Sequence, residues 1–256
     1  MRIFILSLSL LNSFSTASFA QTKTPSRTEI KKIAKQAVKY LNEANFEKSI
    51  STSRQVLHYA SSINDNYLMA VSYNTIAANL DELSEFDKAI FYYNKGLTYA
   101  NKTNDNSIKN YINNNLGNVY CFEKKKKKKG INYYKKSLEY SQKESDTSQI
   151  VFTKLNIAWA YFDVGNYGKG SPYLAFINKY HSRFGNQSTI VILNMLNGMY
   201  FAHKGENNKA ESHFLKAIAL GKSSNQKSDL SYSHHEFSKF LLKNKDYKRA
   251  YENLDL

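Results

Sequence analysis

The sequence has few of the residues that make turns in sheet proteins. Its 256 residues include 10 glycines and 2 prolines, where average usage would give about 18 and about 13. Because sheet proteins need glycine and proline at their turns, this composition argues against an all-β or doubly wound α/β fold. Hydrophobic residues make up 42% of the chain and aromatic residues 14%, which is enough for a buried core and argues against global disorder.

Cysteine and arginine are also scarce, and each shortage excludes a class of site. The single cysteine, Cys121, excludes an intramolecular disulfide framework and a cysteine-based zinc site. The net charge is +15, from 36 basic and 21 acidic residues, yet only five of the basic residues are arginine. Proteins that read phosphates and bases specifically depend on the planar fork of arginine. We therefore expect a lysine-rich solvated surface and no nucleic-acid partner.

The sequence contains no apolar run of the roughly 20 residues that a membrane-spanning helix needs. Its amino terminus instead has the order of a secretory signal peptide. Arg2 supplies the positive end, and a short apolar stretch covers 3–11. The small residues Ser18 and Ala20 then occupy the −3 and −1 positions before Gln21.

The predicted signal peptide covers 1–20 and is followed by a short polar linker over 21–27. We expect the mature chain to be exported and to work in the periplasm or elsewhere outside the cytoplasm. The residue directly after the predicted cleavage point is Gln21 and not a cysteine, so a bacterial lipoprotein anchor is not predicted. The alternatives for 1–20 are a buried core helix and an uncleaved membrane anchor.

Aspartates recur at a fixed period along the rest of the chain. Asp65, Asp105 and Asp146 are 40 and 41 residues apart, and Asp229 lies 83 residues beyond Asp146. They stand in polar clusters that precede apolar-periodic runs, as helix N-caps do. Ordinary loop composition is the alternative, but a fixed period favours an internal repeat.

The predicted helices repeat with the same period. The segment 89–97 aligns without gaps on 130–138. In each segment two small residues, seven positions apart, flank an aromatic residue, and this spacing places all three on one helical face. Small side chains at these positions would let a neighbouring helix approach closely.

These segments, with three others, resemble the tetratricopeptide repeat. Residues 116–120 carry the Leu-Gly-x-x-Tyr pattern of the family's first helix, and 165–167 carry its Gly-Asn-Tyr turn. The family's spacing of small and aromatic residues returns at Gly205, Ala210 and Phe214. The resemblance implies an all-α fold in which helix-turn-helix pairs stack into a right-handed superhelical solenoid. It also implies a concave surface lined by the first helix of each pair.

About six repeats fit residues 28–256, and the last one is incomplete. Their period of about 41 residues exceeds the family's usual 34, which predicts helices or loops about one turn longer. Pro172 falls inside a second helix, so that helix is predicted to start near Ser171 or to be kinked. The predicted units begin near Glu29, Val71, Ile108, Val151, Val191 and Ser231.

The resemblance further implies which side chains face the concave groove. The amides among them would hydrogen-bond an extended peptide backbone, and the apolar members would form a patch with adaptable methionines. The alternative is that these side chains pack under a neighbouring helix. The predicted groove residues are Asn74, Asn114, Asn118, Phe122, Leu155, Trp159, Phe162, Met195, Met199 and His203.

Six consecutive lysines fall between the two helices of the predicted third unit. Because such a run repels itself, a solvated turn is the simpler interpretation. The alternative is attraction to an anionic partner or surface, which would weaken with salt. The run comprises Lys124, Lys125, Lys126, Lys127, Lys128 and Lys129.

The remaining motifs predict no chemistry. The chain has no glycine-rich phosphate loop, no serine elbow and no isolated pair of acidic residues. His235 and Glu236 begin like a zinc-protease motif, but position 239 is lysine where a second histidine is needed. We therefore predict no enzyme, no cofactor and no metal site. Cys121 is predicted to be a small hydrophobic residue, facing the groove or buried.

Together these features predict an exported module that binds a peptide or protein in its groove. The layout resembles the extracytoplasmic sensor region of bacterial membrane-anchored signalling proteins, which implies a sensory input role. The alternative is a free-standing periplasmic scaffold for envelope assembly or secretion. No polar terminal cap is visible before Leu256, so we expect a longer protein or a partner on the open end. A membrane anchor is expected only if the chain continues past Leu256.

Overall fold

The computed structural model describes residues 25–123, 125–224 and 227–254. The predicted signal peptide, most of the linker, Lys124 and Leu256 lie outside these ranges. The described residues form twelve α-helices, one short π-helix and no strand, so the predicted all-α fold class is confirmed. The helices are α1 (Arg27–Asn42), α2 (Phe46–Ser62), α3 (Asn66–Glu82), α4 (Phe86–Ala100), α5 (Asn106–Asn118), the π-helix (Val119–Glu123), α6 (Lys127–Lys143), α7 (Thr147–Asp163), α8 (Tyr167–Phe184), α9 (Gln187–His203), α10 (Asn207–Ser223), α11 (Lys227–Lys243) and α12 (Tyr247–Leu254).

Consecutive helices form six helix-turn-helix units, from unit one (α1 and α2) to unit six (α11 and α12). The two helices of each unit pack together, and the second helix packs on the first helix of the next unit. First helices of neighbouring units also touch, as α1 does with α3 and α9 with α11. This nearest-neighbour stacking is the solenoid that the sequence predicts.

The period of the solenoid is set by long helices. Seven of the helices within the described ranges are 17 residues long. Two helices of this length already fill the usual 34 residues, so the turns require a longer period. The first helices begin two to five residues before the predicted unit starts.

Aspartates cap three of the first helices, as predicted. The side chains of Asp65, Asp105 and Asp146 accept hydrogen bonds from backbone N–H groups three residues on, at 3.0, 2.9 and 3.0 Å. Each bond satisfies a donor that the helix start leaves unpaired. Asp229 differs, because it lies inside the first turn of α11, where its negative charge still favours the helix dipole.

A residue with left-handed backbone lies in the turn between the two helices of every unit. The six positions are 40 or 41 residues apart, and two of them are glycine, Gly165 (φ 73°) and Gly205 (φ 78°). The other four carry side chains, at a cost of about 1 kcal/mol or more each. These four are Ala44, Ser84, Lys125 and Lys245.

Unit three has an unusually close contact between its helices. A Cβ added to Gly117 would lie 2.3 Å from the ring of Tyr134, and one added to Gly130 would lie 2.2 Å from Cys121 Sγ. Gly130, Tyr134 and Ser137 are all buried in α6, so the predicted arrangement of two small residues around an aromatic on one helical face is confirmed here. Beyond Gly117, α5 passes into the π-helix over Val119–Glu123, a widened turn that often occurs at functional sites.

Pro172 lies inside α8, which begins at Tyr167. The prediction that this helix starts near Ser171 is therefore wrong. Proline cannot donate to the carbonyl four residues earlier, which belongs to Gly168. The Ser171 hydroxyl reaches that carbonyl at 3.5 Å, so a neighbouring side chain partly replaces the missing backbone donor.

The hydrophobic core is divided unevenly along the solenoid. One cluster of buried residues joins units four to six and runs from Val151 to Ala250. Units one to three hold separate clusters, one centred on Ile30 and Val56 and another on Tyr93 and Ile112. Within the ranges the structure describes, no helix combines the length and apolar character needed to cross a bilayer.

Candidate ligand-binding groove

The first helices of units two to six surround one cavity of about 400 Å³, here called the central cavity. The lining residues that the structure describes all lie on first helices, namely α3, α5 with the π-helix, α7, α9 and α11. This arrangement matches the concave surface that the resemblance implies. The lining residues are Asp81, Glu82, Asn118, Val119, Phe122, Glu123, Phe152, Leu155, Asn156, Trp159, Thr189, Ile192, Ser228, Asp229 and Tyr232.

Three aromatic rings from three different units meet in the central cavity. The ring of Trp159 lies 4.7 Å from that of Phe122 and 4.9 Å from that of Tyr232, in an edge-on arrangement with the latter. Phe122 and Tyr232 are 6.4 Å apart. Since these two belong to units three and six, the solenoid curls tightly enough to bring distant units into contact across its inner face.

Carboxylates form another part of the lining. Burial, together with the negative charges of Glu82 and Glu123, raises the pKa of Asp81 to about 7. The hydroxyl of Tyr93 lies 3.5 Å from Asp81 Oδ2 and can donate a weak hydrogen bond to it. Asp229 contributes a fourth carboxylate, so the central cavity is acidic in a chain whose net charge is +15.

The predicted groove asparagines are largely used to join units. Asn115 Nδ2 donates to Asn74 Oδ1 at 3.2 Å, and Asn156 Nδ2 donates to Asn114 Oδ1 at 3.1 Å. Each bond connects the first helices of two neighbouring units. Of the three predicted asparagines, only Asn118 lines the central cavity, and its Oδ1 accepts from the Tyr134 hydroxyl at 2.6 Å.

The apolar groove residues divide between two places. Phe122, Leu155 and Trp159 line the central cavity. Phe162, Met199 and His203 border a second, smaller depression of about 250 Å³ between α7, α9 and α11, where the His203 ring stacks on that of Tyr167 at 4.0 Å. Phe162 and Met199 are also buried, and Met195 is fully buried in the core of units four to six.

Sequence reasoning did not include Glu82, Glu123, Asp229 or Tyr232 among the groove residues. A periodic signal was present for Glu82 and Glu123, which with Asp163 are 41 and 40 residues apart. Each stands at or just beyond the end of the regular α-helical part of a first helix. Tyr232 had no such signal, since its place in the cavity depends on the curvature of the whole solenoid.

The described lysines of the run belong mostly to a helix. Lys127 begins α6 and pairs with Asp163, and its ammonium lies 4.6 Å from the Phe122 ring. Lys129 donates to the Tyr120 hydroxyl at 2.9 Å. Of the described lysines, only Lys125 and Lys126 lie in the exposed turn, and contact of the run with an anionic surface stays a prediction.

Cys121 is fully buried against Gly130, so of the two predicted positions, facing the groove or buried, the second is correct. Burial raises the pKa of its thiol to about 12, so the thiolate that would react is not formed at neutral pH. Over the described ranges, no three histidine, cysteine, aspartate or glutamate side chains lie together as a metal site would require.

Comparison with known proteins agrees with this architecture. The family described as the tetratricopeptide repeat matches residues 111–144, which cover most of unit three. The chain has the helical solenoid fold of tetratricopeptide-repeat proteins. No curated protein has a sequence that matches it.

Several solved structures share the tetratricopeptide-repeat fold of this chain. The apo form of RapI has 16% sequence identity, a TM-score of 0.77, and coverage of 91% of this chain and 83% of its own. The Rap conjugation gene regulator in complex with a Phr peptide has 15% identity, a TM-score of 0.74, and coverage of 90% and 62%. The type IV pilus biogenesis factor PilW has 16% identity, a TM-score of 0.61, and coverage of 89% and 91%. Identities this low show similarity of fold alone.

Proposed function

We propose that this tetratricopeptide-repeat solenoid binds a peptide or an extended protein segment in the central cavity. The observation that carries the proposal is the cavity itself, which five first helices enclose and three aromatic rings line. Apolar and aromatic concavities with a few polar groups are the usual form of a ligand site. The Rap regulator bound to a Phr peptide has the same fold, which supports a peptide as the ligand.

The lining offers both parts of peptide recognition. Phe122, Trp159 and Tyr232 supply rigid aromatic surface, which carries much of the binding energy in protein interfaces. Asn118 supplies an amide whose Nδ2 donates to no protein acceptor within the described residues, so it is free to donate to a ligand carbonyl. Tyr232 is 39% exposed, so a ligand can reach the aromatic wall without unfolding the solenoid.

The binding test is a selection of random heptapeptides against the full chain. The variant Phe122→Ala with Tyr232→Ala should lose enrichment, because it removes two of the three rings from the cavity. Phe91→Ala is the matched control, since Phe91 is a 55% exposed aromatic on α4, outside the cavity. The proposal fails if the double variant keeps its helical circular dichroism and still enriches the same peptides.

For the cellular role, we propose an exported input module of a signalling protein. The support is the predicted signal peptide over 1–20 followed by a binding solenoid. Export is tested by fusing residues 1–27 to a reporter enzyme that is active only outside the cytoplasm. Activity should appear, and an inactive fusion would contradict the proposed location.

A periplasmic scaffold is the second candidate role. It is favoured by the similarity of fold to PilW, a type IV pilus biogenesis factor. The reading frame after Leu256 separates the two roles. A continuation into about 20 apolar residues followed by an output domain supports the signalling role, whereas a stop codon directly after Leu256 favours the scaffold.

A further inference from the structure

We infer that the central cavity selects a basic peptide, one that places a lysine or arginine side chain between the aromatic rings and the cavity carboxylates. This inference rests on the proposed function and adds the chemical class of the ligand. It follows from the charge of the lining, from the aromatic wall, and from a partly buried carboxylate that has no cation beside it among the described residues.

The charge of the central cavity is opposite to that of the chain. Four of its lining residues are acidic, and none of those identified is lysine or arginine, although the chain has 36 basic residues and a net charge of +15. Random placement of charges in such a chain would make the cavity basic. A concave, partly dry surface concentrates the field of its carboxylates and attracts cations.

The aromatic and acidic parts of the lining are close to each other. Glu123 follows Phe122 directly in the π-helix and lines the same cavity, and its negative charge contributes to raising the pKa of both Tyr232 and Asp81. The faces of Trp and Tyr attract ammonium and guanidinium groups within about 6 Å. A basic side chain entering here would meet a ring on one side and a carboxylate on the other.

The protein already uses this arrangement once, at the edge of the same cavity. The Lys127 ammonium lies 4.6 Å from the Phe122 ring and pairs with Asp163. A ligand cation beside Trp159, Tyr232 and Glu123 would likewise contact aromatic rings and pair with a carboxylate, further into the cavity. Lys127 is already committed to Asp163, so it does not neutralise the lining carboxylates.

Asp81 provides a second observation in favour of a cationic ligand. Its carboxyl is partly buried, and over the described ranges no lysine, arginine or histidine pairs with it. The groups that face it are Glu82 on its own helix, Glu123 of the π-helix and the Tyr93 hydroxyl of α4. With two negative neighbours and one weak donor, Asp81 is left to be neutralised by a proton or by a ligand cation.

The test uses Trp159, the single tryptophan of the chain, as a reporter inside the cavity. The full chain is titrated with the acetylated, amidated pentapeptide Ala-Ala-Arg-Ala-Ala, with its citrulline analogue and with its glutamate analogue. Citrulline keeps the shape of arginine without its charge. We expect the arginine peptide to change Trp159 emission saturably and to bind about tenfold or more tightly than the citrulline peptide, with no saturable change from the glutamate peptide.

The carboxylates are tested with Glu82→Gln combined with Glu123→Gln, two exposed positions where the change should leave the fold intact. This variant should lose most of the preference for the arginine peptide, because only Asp81 and Asp229 of the four acidic lining residues remain. Glu139→Gln, an exposed position on α6, is the matched control and should keep the arginine preference. Binding of the arginine peptide to the unaltered chain should also weaken below pH 7, as Asp81 takes up a proton.

Each outcome bears on one part of the inference. Equal binding of the arginine and citrulline peptides to the unaltered chain overturns it, as does an arginine preference that is undiminished in the glutamine variant. If the heptapeptide selection enriches sequences without basic residues, the proposed function stands and the inference about the ligand class falls. If the selection enriches nothing and no pentapeptide changes Trp159 emission, both are contradicted.

Discussion

The hydrophobic core is organised differently in units one to three and in units four to six. In units four to six, one continuous apolar cluster crosses every boundary between units, with Phe162, Met195 and Phe214 at its centre. In units one to three two smaller apolar clusters take its place, one across units one and two and one across units two and three, and buried polar side chains add hydrogen bonds between units. Asn79, for example, is fully buried and donates to Ser49 Oγ at 2.8 Å.

Buried polar atoms without a partner also concentrate in the first half. Within the described residues they are the side-chain oxygens of Ser53, Asn79, Asn110 and Asn113, together with His234 Nε2 from unit six. Each unsatisfied buried group costs about 1–3 kcal/mol. The first half therefore gains defined contacts between units at a cost in stability, and we expect it to open more easily than the second half.

The central cavity lies where the two halves meet. Asp81 and Glu123 come from the first half, and Trp159 and Tyr232 from the second. A ligand that contacts both sets of residues would stabilise the curled form of the solenoid, because it binds only when the halves are in register. The difference between the halves thus connects the stability of the fold to its proposed function.

The largest effect is expected from a core truncation in the second half. Phe214→Ala should lower the free energy of unfolding by about 3–5 kcal/mol, because Phe214 is fully buried and its ring contacts those of Phe237 and Phe240. Urea unfolding followed by circular dichroism measures this. Leu215→Ala is the control, since Leu215 is 49% exposed and should cost well under 1 kcal/mol. Equal losses in the two variants would show that the cluster does not hold the second half.

The polar boundary of the first half should respond to Asn79→Ala. We expect a loss of about 1–3 kcal/mol, because this change removes the bonds to Ser49 and to the Thr75 carbonyl. Ser53→Ala is the matched control, and it should be neutral or slightly stabilising, since Ser53 Oγ is buried without a partner. Urea unfolding again measures both, and a neutral Asn79→Ala would remove the contrast between the halves.

Asp81→Asn should stabilise the fold in a pH-dependent way. The pKa of Asp81 is raised from 3.8 to about 7, so between these values the native state holds a proton that the unfolded chain has lost. Stability at this site therefore falls as pH rises through that window. The variant should be more stable than the unaltered chain by about 1–2 kcal/mol at pH 8 and nearly equal to it at pH 4.

Thermal unfolding at the two pH values measures the effect of Asp81→Asn. Glu139→Gln is the control, because Glu139 is exposed on α6 and should show no such dependence. A stabilisation that is the same at pH 4 and pH 8 would contradict the burial and repulsion assigned to Asp81.

The smallest effects are expected at the residues with left-handed backbone in the turns, where alanine and glycine can be substituted for each other in the two halves. Ala44→Gly in unit one should stabilise by about 1 kcal/mol, and Gly205→Ala in unit five should destabilise by about as much. The φ angles are 55° and 78°, and no atom lies within 4 Å of a Cβ added at Gly205, so the backbone alone sets the cost. Differential scanning calorimetry measures both, and shifts of the same sign would contradict this explanation.

The elements and their order could be predicted from the sequence because each repeat carries its own local signals. A helix N-cap is formed by each of Asp65, Asp105 and Asp146. The absence of a side chain at Gly117 lets the Tyr134 ring approach closely. Such signals depend on residues a few positions apart or one period apart, so a single sequence contains them. Glu123 carries a signal of the same kind, because it lies one period of 41 residues after Glu82.

The cavity could be predicted only in part, because its shape depends on the accumulated rotation from unit to unit. That Tyr232 approaches Phe122 follows from three successive unit contacts, each set by packing details that no spacing shows. Asn74 and Asn114 were predicted to face a ligand, yet their side-chain oxygens accept hydrogen bonds from the next unit. A period identifies which helix face a residue lies on, and it does not distinguish the groove from the contact between neighbouring units.

Hydrogen exchange of the full chain, followed by mass spectrometry with and without the arginine pentapeptide, tests the account most directly. Without peptide, α1 to α4 should exchange faster than α7 to α10, because the first half holds separate clusters and unsatisfied polar groups. With peptide, protection should rise together in α3, the π-helix and α11, the elements that supply the cavity carboxylates and Tyr232. Uniform exchange along the solenoid, or protection confined to helices outside the central cavity, would contradict the account.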